Sequence, residues 1–251
     1  MSEAGLRTRD LGVSFGAFRA VHRVNLSLEP GARQALIGPN GAGKTTLVNL
    51  LTGLLRPASG RIEMGGQDIT GWPADRRARH GLARTFQRNQ LFPSLTPLQS
   101  VVLAIGEREG QGGVWWKPLR RDSAVFDEAH ALLRRLRLDP QADRPVSHLA
   151  YGKQRLLEMA LALAARPRIL LLDEPAAGVP EDESGELFDV IAQLPADMAV
   201  LFIEHDMKLV FRFASRISVL VAGEMLVEGT PQEIGADPRV REVYLGSAHG
   251  R

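Results

Sequence analysis

The sequence predicts an α/β fold: a largely parallel sheet covered by helices, preceded by an antiparallel β segment and interrupted by a helical insertion. Three observations predict it. Residues 38–46 read GPNGAGKTT, a phosphate-binding loop set between the apolar run Ala35-Leu36-Ile37 and the apolar-rich stretch Leu47–Leu51, which is the order strand, glycine-rich turn, helix. Short apolar runs alternate with longer amphipathic stretches along most of the chain, as in parallel sheets whose crossovers are helices. Between 93 and 165 the strand signals stop and apolar residues recur at three- and four-residue spacing, which is the helical period.

The elements follow in order. Leu11–Leu28 holds two apolar-alternating runs around Gly16 and Arg19, read as antiparallel strands, and Glu29-Pro30-Gly31 is a turn. Ala32–Ile37 enters the phosphate loop as a buried strand. Arg61–Met64 reads as an edge strand closed by Gly65-Gly66, and Trp72–Arg79 as a brief basic helix. Leu82–Phe86 is apolar enough for a core strand ending at Gln87. Leu95, Leu98, Val101, Val102 and Ile105 form one helical stripe; Val125, Ala129, Leu132, Leu133 and Leu136 form a second. Both read as helical core. Between them lies EREGQGGVWWKPLRR, an inserted loop. Gln154–Ala165 is helical and stops before Pro167. Ile169–Leu172 is a fully apolar strand ending in Asp173-Glu174. Glu183–Leu194 is helical, Ala199–Ile203 is a strand ending in Glu204-His205-Asp206, and Ile217–Val221 with Glu224–Val227 form a hairpin.

Composition narrows the function classes. The chain has 251 residues, 44% of them hydrophobic, enough for a substantial core. Its 31 basic and 29 acidic residues leave a formal charge of +2, which gives no case for nucleic-acid binding. The absence of cysteine excludes disulfides and thiolate metal sites. No apolar run approaches the roughly 20 residues needed to span a bilayer. The first residues, MSEAGLRTRDLGVSF, lack a secretion signal's apolar stretch. A cytosolic protein able to dock on a membrane protein is expected.

The motifs carry triphosphate chemistry. Successive backbone N–H groups around Gly41 and Gly43 can converge on an anion, and the N-terminus of the following helix adds partial positive charge. Lys44 reaches toward the terminal phosphates, and the Thr45 hydroxyl is an oxygen ligand suited to magnesium. Asp173 emerges at the C-terminal end of a buried strand, where folds of this class bind ligands, and is expected to hold magnesium, directly or through water. Glu174 is the candidate to position and activate an attacking water. Gln87 and His205 also fall at predicted strand ends, Gln87 within reach of the water and the metal, His205 within reach of the γ-phosphate.

The order of these motifs resembles the nucleotide-binding subunit of ATP-binding cassette (ABC) transporters, from about Leu11 to Leu245. Thr85-Phe86-Gln87 matches the glutamine loop, Leu149-Ala150-Tyr151-Gly152-Lys153 the signature, and Asp173-Glu174 and His205 complete the set. The resemblance implies a RecA-like P-loop NTPase core with an antiparallel β subdomain, a single cassette in which 1–92 and 166–251 form the core and 93–165 a helical signature subdomain. It implies ATP and Mg2+ as ligands. Asn40, Gly41, Ala42, Gly43, Lys44, Thr45 and Thr46 then cradle the phosphates, and Thr45, Gln87 and Asp173 hold the metal. Glu174, His205 and Gln87 are the catalytic set. Phe15 stacks on adenine, with Phe18 as the alternative and a core role for Phe15 as the plain one. Ala150, Tyr151 and Gly152 meet the γ-phosphate of a second subunit in a head-to-tail dimer.

Within that superfamily the sequence is similar to the first ATPase type of branched-chain amino acid importers. Gly81–Gln87, Leu171–Gly178 and Ile203–Met207 carry the likeness, with the insertion after Glu107. This implies a second ATPase subunit, two membrane permease subunits, an extracytoplasmic solute-binding protein, and a place on the cytoplasmic face of the membrane. Three positions depart from the pattern: Ala150 stands for serine, Lys153 for glutamine, and Pro180 for aspartate or asparagine. Two other readings stay open. One is a soluble cassette regulator, although one compact cassette argues against it. The other is a degenerate subunit that holds ATP and hydrolyses it weakly. Trp115 and Trp116, with Lys117, Arg120 and Arg121, either meet a membrane subunit or lipid, or cap the helical insertion. The segment from Asp237 to Leu245 resembles the family's short closing helix, which packs on the core without chemistry of its own.

Overall fold

The computed structural model describes residues 5–85, 91–110 and 123–246. These divide into two compact units. One comprises Met1–Arg84, Arg168–Glu174 and Pro195–Arg251; the other comprises Thr85–Pro167 and Pro175–Leu194.

The first unit holds both sheets. Its chain begins with strands β1 (Leu6–Phe15), β2 (Phe18–Val24), β3 (Ser27–Leu28) and β4 (Arg33–Ile37), followed by helix α1 (Lys44–Thr52). Next come β5 (Ser59–Met64), β6 (Gln67–Asp68), helix α2 (Ala74–Arg79) and β7 (Leu82–Arg84). The antiparallel sheet runs β2-β1-β5-β6, with β3 also paired to β1. Arg61–Met64 is therefore not the edge expected from sequence: β5 lies between β1 and the two residues of β6. The sequence hides β6 because two residues carry no periodicity.

The second sheet is built from β7, β8 (Ile169–Asp173), β9 (Ala199–Ile203), β10 (Arg216–Val221) and β11 (Glu224–Gly229) together with β4, in the order β11-β10-β4-β9-β8-β7. All neighbours are parallel except the β10–β11 hairpin. Every residue of β8 and β9 is buried. Successive side chains point to opposite faces, so both faces of the sheet centre are covered, which is why these strands read as unbroken apolar runs. The expected α/β architecture with a P-loop core and an antiparallel β segment is the one observed.

Helix α1 joins the two sheets into one core. Leu47, Val48, Leu50 and Leu51 pack with Leu11, Val21 and Val24 of the first hairpin and with Leu36, Leu171, Leu201 and Ile203 of the parallel sheet. Burying each such side chain stabilises by about 1.5–3 kcal/mol. Two short helices of this unit, Met207–Phe213 (seven residues) and Pro231–Ala236 (six), escaped the sequence reading. Both are too short to show a full helical stripe. Only caps betray them: Asp206 accepts from the Lys208 amide, and Thr230 with Glu233 forms a capping box. The last described element is a helix over Pro238–Gly246.

The second unit is helical. In chain order it contains α3 (Pro97–Arg108), α4 (Ser123–Arg135), α5 (Tyr151–Ala164) and α6 (Glu181–Ala192). Val101, Val102 and Ile105 of α3, Val125, Ala129 and Leu133 of α4, and Leu156, Leu157 and Ala160 of α5 are all buried. The two stripes seen in the sequence thus line the core, with Leu95, Leu98 and Leu132 half-buried. Leu95 precedes α3, which Thr96 starts with a capping box and Pro97 at its first position. Helix α5 begins at Tyr151, three residues before the expected Gln154. A strand was expected over Leu82–Phe86; β7 covers Leu82–Arg84, and Phe86 lies outside the described residues. The tryptophans of the insertion, Trp115 and Trp116, and the neighbouring Lys117, Arg120 and Arg121 also lie outside them.

Candidate active site

Sheet order decides which residues meet. Strand β9 lies between β4 and β8, and Leu36, Ile203 and Asp173 share one level through the pairs Leu36↔Ile203 and Asp173↔Ile203. The segments leaving these three strands therefore emerge together at their C-terminal edge: residues 38–45 after β4, 204–206 after β9, and Glu174 after β8.

The phosphate loop begins at Gly38, and Gly43 starts α1 in a left-handed conformation at φ +100°. A Cβ on Gly43 would collide with the Ala20 carbonyl oxygen of β2, so only glycine serves there. Asn40 and Gly41 are exposed, Ala42 is buried, and Thr46 is half-buried. Loop and hairpins are tied together by backbone bonds from Gly223 N–H to the Ala42 carbonyl (2.9 Å) and from His22 N–H to the Gly223 carbonyl (2.7 Å). Phe15 and Phe18 face each other across the tip of the β1–β2 hairpin, 52% and 62% exposed. Neither ring belongs to the core, which removes the plain reading of Phe15.

Lys44 is buried, and its ammonium donates to the carbonyls of Gly38 (2.7 Å) and Pro39 (3.0 Å). Burial pushes its pKa below the ordinary lysine value, while the carboxylates of Glu174 and Asp173 act in the opposite sense. A desolvated cation held by two neutral carbonyls is suited to an anion. Thr45 is exposed at the mouth of the loop.

Asp173 is 2% exposed. Its Oδ2 accepts from Arg84 Nη2 at 2.6 Å, and Arg84 Nη1 donates to Asn49 Oδ1 of α1 at 2.6 Å. Asp173 Oδ1 is buried without a hydrogen-bond partner among the described residues. That orphaned oxygen, with the Thr45 hydroxyl, suits a magnesium ion that takes its remaining ligands from phosphate and water. Among the described residues no three histidine, aspartate or glutamate side chains gather into a self-sufficient metal site. With one carboxylate oxygen and one hydroxyl, the donor set fits a cation that brings phosphate oxygens among its other ligands.

Glu174 has φ +50°, a conformation that costs a non-glycine residue about 1–3 kcal/mol and gathers at functional sites. Its N–H donates to the Ile203 carbonyl at 3.1 Å, and its Oε1 lies 2.9 Å from His205 Nε2. With the carboxylate ionised, His205 carries its proton on Nε2 and donates. The two side chains remain 30% and 47% exposed, open to a ligand and to water. Gln87 lies outside the described residues.

Ala150, Tyr151 and Gly152 lie in the helical unit at the start of α5. Ala150 is the N-cap and supplies no side-chain cap. The Tyr151 ring lies under the Arg155 guanidinium at 5.0 Å. Gly152 is buried, and a Cβ there would collide with the Glu183 carboxylate. Lys153, where the resemblance has glutamine, donates to both carboxylate oxygens of Glu186 at 2.9 and 3.1 Å. Pro180 is the N-cap of α6, again without a side-chain cap.

Sequence reading missed Arg84 and Asn49. Both lie inside stretches read only as apolar, Arg84 in Leu82–Phe86 and Asn49 in Leu47–Leu51. A charged residue inside a core strand is the one signal that could have singled out Arg84.

A glycine-rich loop between a central parallel strand and a helix, faced by an acidic strand end one strand removed, defines a P-loop nucleoside triphosphate-binding protein. A family model described as ABC transporter matches residues 21–177, and one described as branched-chain amino acid ATP-binding cassette transporter matches residues 224–250. The chain belongs to the ABC transporter family as an ATP-binding subunit. It is 42% identical to the high-affinity branched-chain amino acid transport ATP-binding protein LivG of Escherichia coli (strain K12), over 99% of this chain and 100% of that one. It is 40% identical, with the same coverage, to BraF of Pseudomonas aeruginosa, which bears the same description. Among solved structures, the ADP conformation of MJ1267, an ATP-binding cassette of an ABC transporter, superposes with a TM-score of 0.85. That match is 31% identical and covers 97% of this chain and 99% of that one.

Proposed function

We propose that this chain hydrolyses ATP to power import of branched-chain amino acids or related small solutes, as one of two ATPase subunits docked on two membrane permease subunits. An extracytoplasmic binding protein delivers the solute, and the chain works peripherally on the cytoplasmic face. The relatives' names support the cargo class. No described helix is long and apolar enough to cross a membrane; in this reading the permease partners form the transport path. The observation that carries the catalytic reading is the 2.9 Å pairing of Glu174 with His205, level with the loop of Lys44.

The residues divide the work as follows. Asn40 through Thr46 and the Lys44 ammonium hold the triphosphate, with Phe15 against adenine. Thr45, Asp173 and Gln87 hold Mg2+, which supplies charge neutralisation on the phosphate oxygens. Glu174 orients the attacking water and accepts its proton, and His205 holds the Glu174 carboxylate in place and faces the γ-phosphate. Ala150, Tyr151 and Gly152 offer helix N-terminal amides to the ATP of the partner subunit.

Two experiments test this. Affinity capture from native membranes is expected to recover two polytopic proteins and a second ATPase, with hydrolysis stimulated in the complex; recovery of soluble partners only would sink the importer reading. Glu174→Gln is expected to lower kcat by about 10²–10⁴-fold while nucleotide affinity stays within a few fold. Unchanged turnover would remove Glu174 from its role.

A further inference from the structure

The Arg84 guanidinium is held at two points by oxygen acceptors, Asp173 Oδ2 and Asn49 Oδ1, each at 2.6 Å. The Arg84 and Asp173 side chains are only 10% and 1% exposed. Their charges cancel at the place where the donor set fits a divalent cation. Asn49 anchors the clamp to α1, the helix that begins with Lys44, so the carboxylate is fixed relative to the phosphate loop. One carboxylate oxygen is taken, and the other is buried and unpartnered among the described residues. A divalent cation reaching Asp173 without phosphates would meet a carboxylate already neutralised, a guanidinium of like sign close by, and a single free oxygen. A hard cation does not surrender its water for that. Nucleotide phosphates reverse the balance by bringing their own charge and oxygens.

We propose that Arg84 is a positioning residue, the resident counter-ion of Asp173, which presents one carboxylate oxygen and admits a divalent cation there only together with nucleotide phosphates. This rests on the reading of Asp173 as a metal ligand. A pair whose charge did not act on the cation position would lower stability when broken but leave metal affinity in the nucleotide-free protein unchanged.

The test is Mn2+ binding to the nucleotide-free full chain, followed by loss of the free-ion spin-resonance signal. Wild type is expected to bind weakly. Arg84→Gln is expected to bind at least about tenfold more tightly, because a like charge this close is strongly repulsive in a buried site. The gain should vanish in Arg84→Gln/Asp173→Asn. Arg84→Lys keeps the charge but cannot bridge both acceptors, so intermediate affinity is expected; it also serves if Arg84→Gln does not fold. Wild-type affinity in a folded Arg84 variant overturns the proposal, as does tight wild-type binding that Asp173→Asn removes. A parallel titration of nucleotide affinity against Mg2+ separates the two readings. If Asp173→Asn leaves the Mg2+ dependence intact, the metal-ligand reading fails. If Asp173→Asn removes it while Arg84→Gln leaves Mn2+ binding unchanged, only the counter-ion role fails.

Discussion

Arg77 is 1% exposed, and the partners of its guanidinium are carbonyl oxygens: Trp72, Leu50, Leu51 and Thr70, at 2.6–3.0 Å. Two of these close the last turn of α1, where the helix carries partial negative charge. Burial lowers the arginine's pKa, but the bonds keep a cation where sequence suggested only a brief basic helix. Arg77→Met would keep most of the volume and strand the carbonyls. The expected loss is about 3 kcal/mol or more, read as a fall in urea midpoint at unchanged m-value. Ala150 offers the opposite case. A serine there would cap α5 and add about 0.5–2 kcal/mol. If its hydroxyl also meets the partner's γ-phosphate, Ala150→Ser should raise turnover of the assembled transporter as well. A higher melting temperature with unchanged turnover would restrict the position to capping.

At the scale of elements, the helical unit is tied by charge as well as by its apolar stripes. Glu128 of α4 pairs with Arg108 of α3 through bonds of 2.7 and 2.8 Å and with Arg166 beyond the end of α5 at 2.9 and 3.1 Å. The hydrogen bonds from Arg108 chiefly hold the Glu128 carboxyl down at about 2, with burial opposing and Arg166 assisting. A folded-state value below the ordinary 4.5 means that the stabilisation is complete above that pH and fades as pH falls toward 2. Glu128→Gln should therefore cost stability at neutral pH, and the urea-midpoint gap from wild type should shrink between about 4.5 and 2. A gap independent of pH would remove the ion pairs from the account. The apolar faces of these helices were legible because their period is local. The Glu128 cluster was not, since Arg108 and Arg166 lie 20 and 38 residues away. The same holds at the site. The loop from Gly38 to Thr46 and the strand ending in Asp173 could be read directly, whereas the clamp of Arg84 on Asp173 spans 89 residues. It exists only because β7 and β8 are parallel neighbours.

For the whole molecule, the chain's organisation around the phosphate loop makes nucleotide binding a stability measurement. Lys44 sits desolvated against two carbonyls, Asp173 keeps one orphaned oxygen, and Glu174 holds a left-handed backbone. The first two are costs of the folded state that a bound Mg2+ nucleotide can offset. A ligand that binds only the folded chain stabilises by about 2.7 kcal/mol at a hundred times its Kd, which for a protein of this length corresponds to about 5–10 °C in Tm. The expected pattern across variants separates the contributors. Wild type should show the full shift with ATP and Mg2+. Lys44→Ala should lose nearly all of it, because the triphosphate loses its buried cation. Asp173→Asn should keep the part that ATP gives in EDTA and lose the increment from Mg2+. Glu174→Gln should keep the whole shift, since its proposed role begins after binding. A Glu174→Gln variant that loses the shift along with turnover would mean that the carboxylate organises the site rather than the attacking water, and the division of labour among these residues would have to be redrawn.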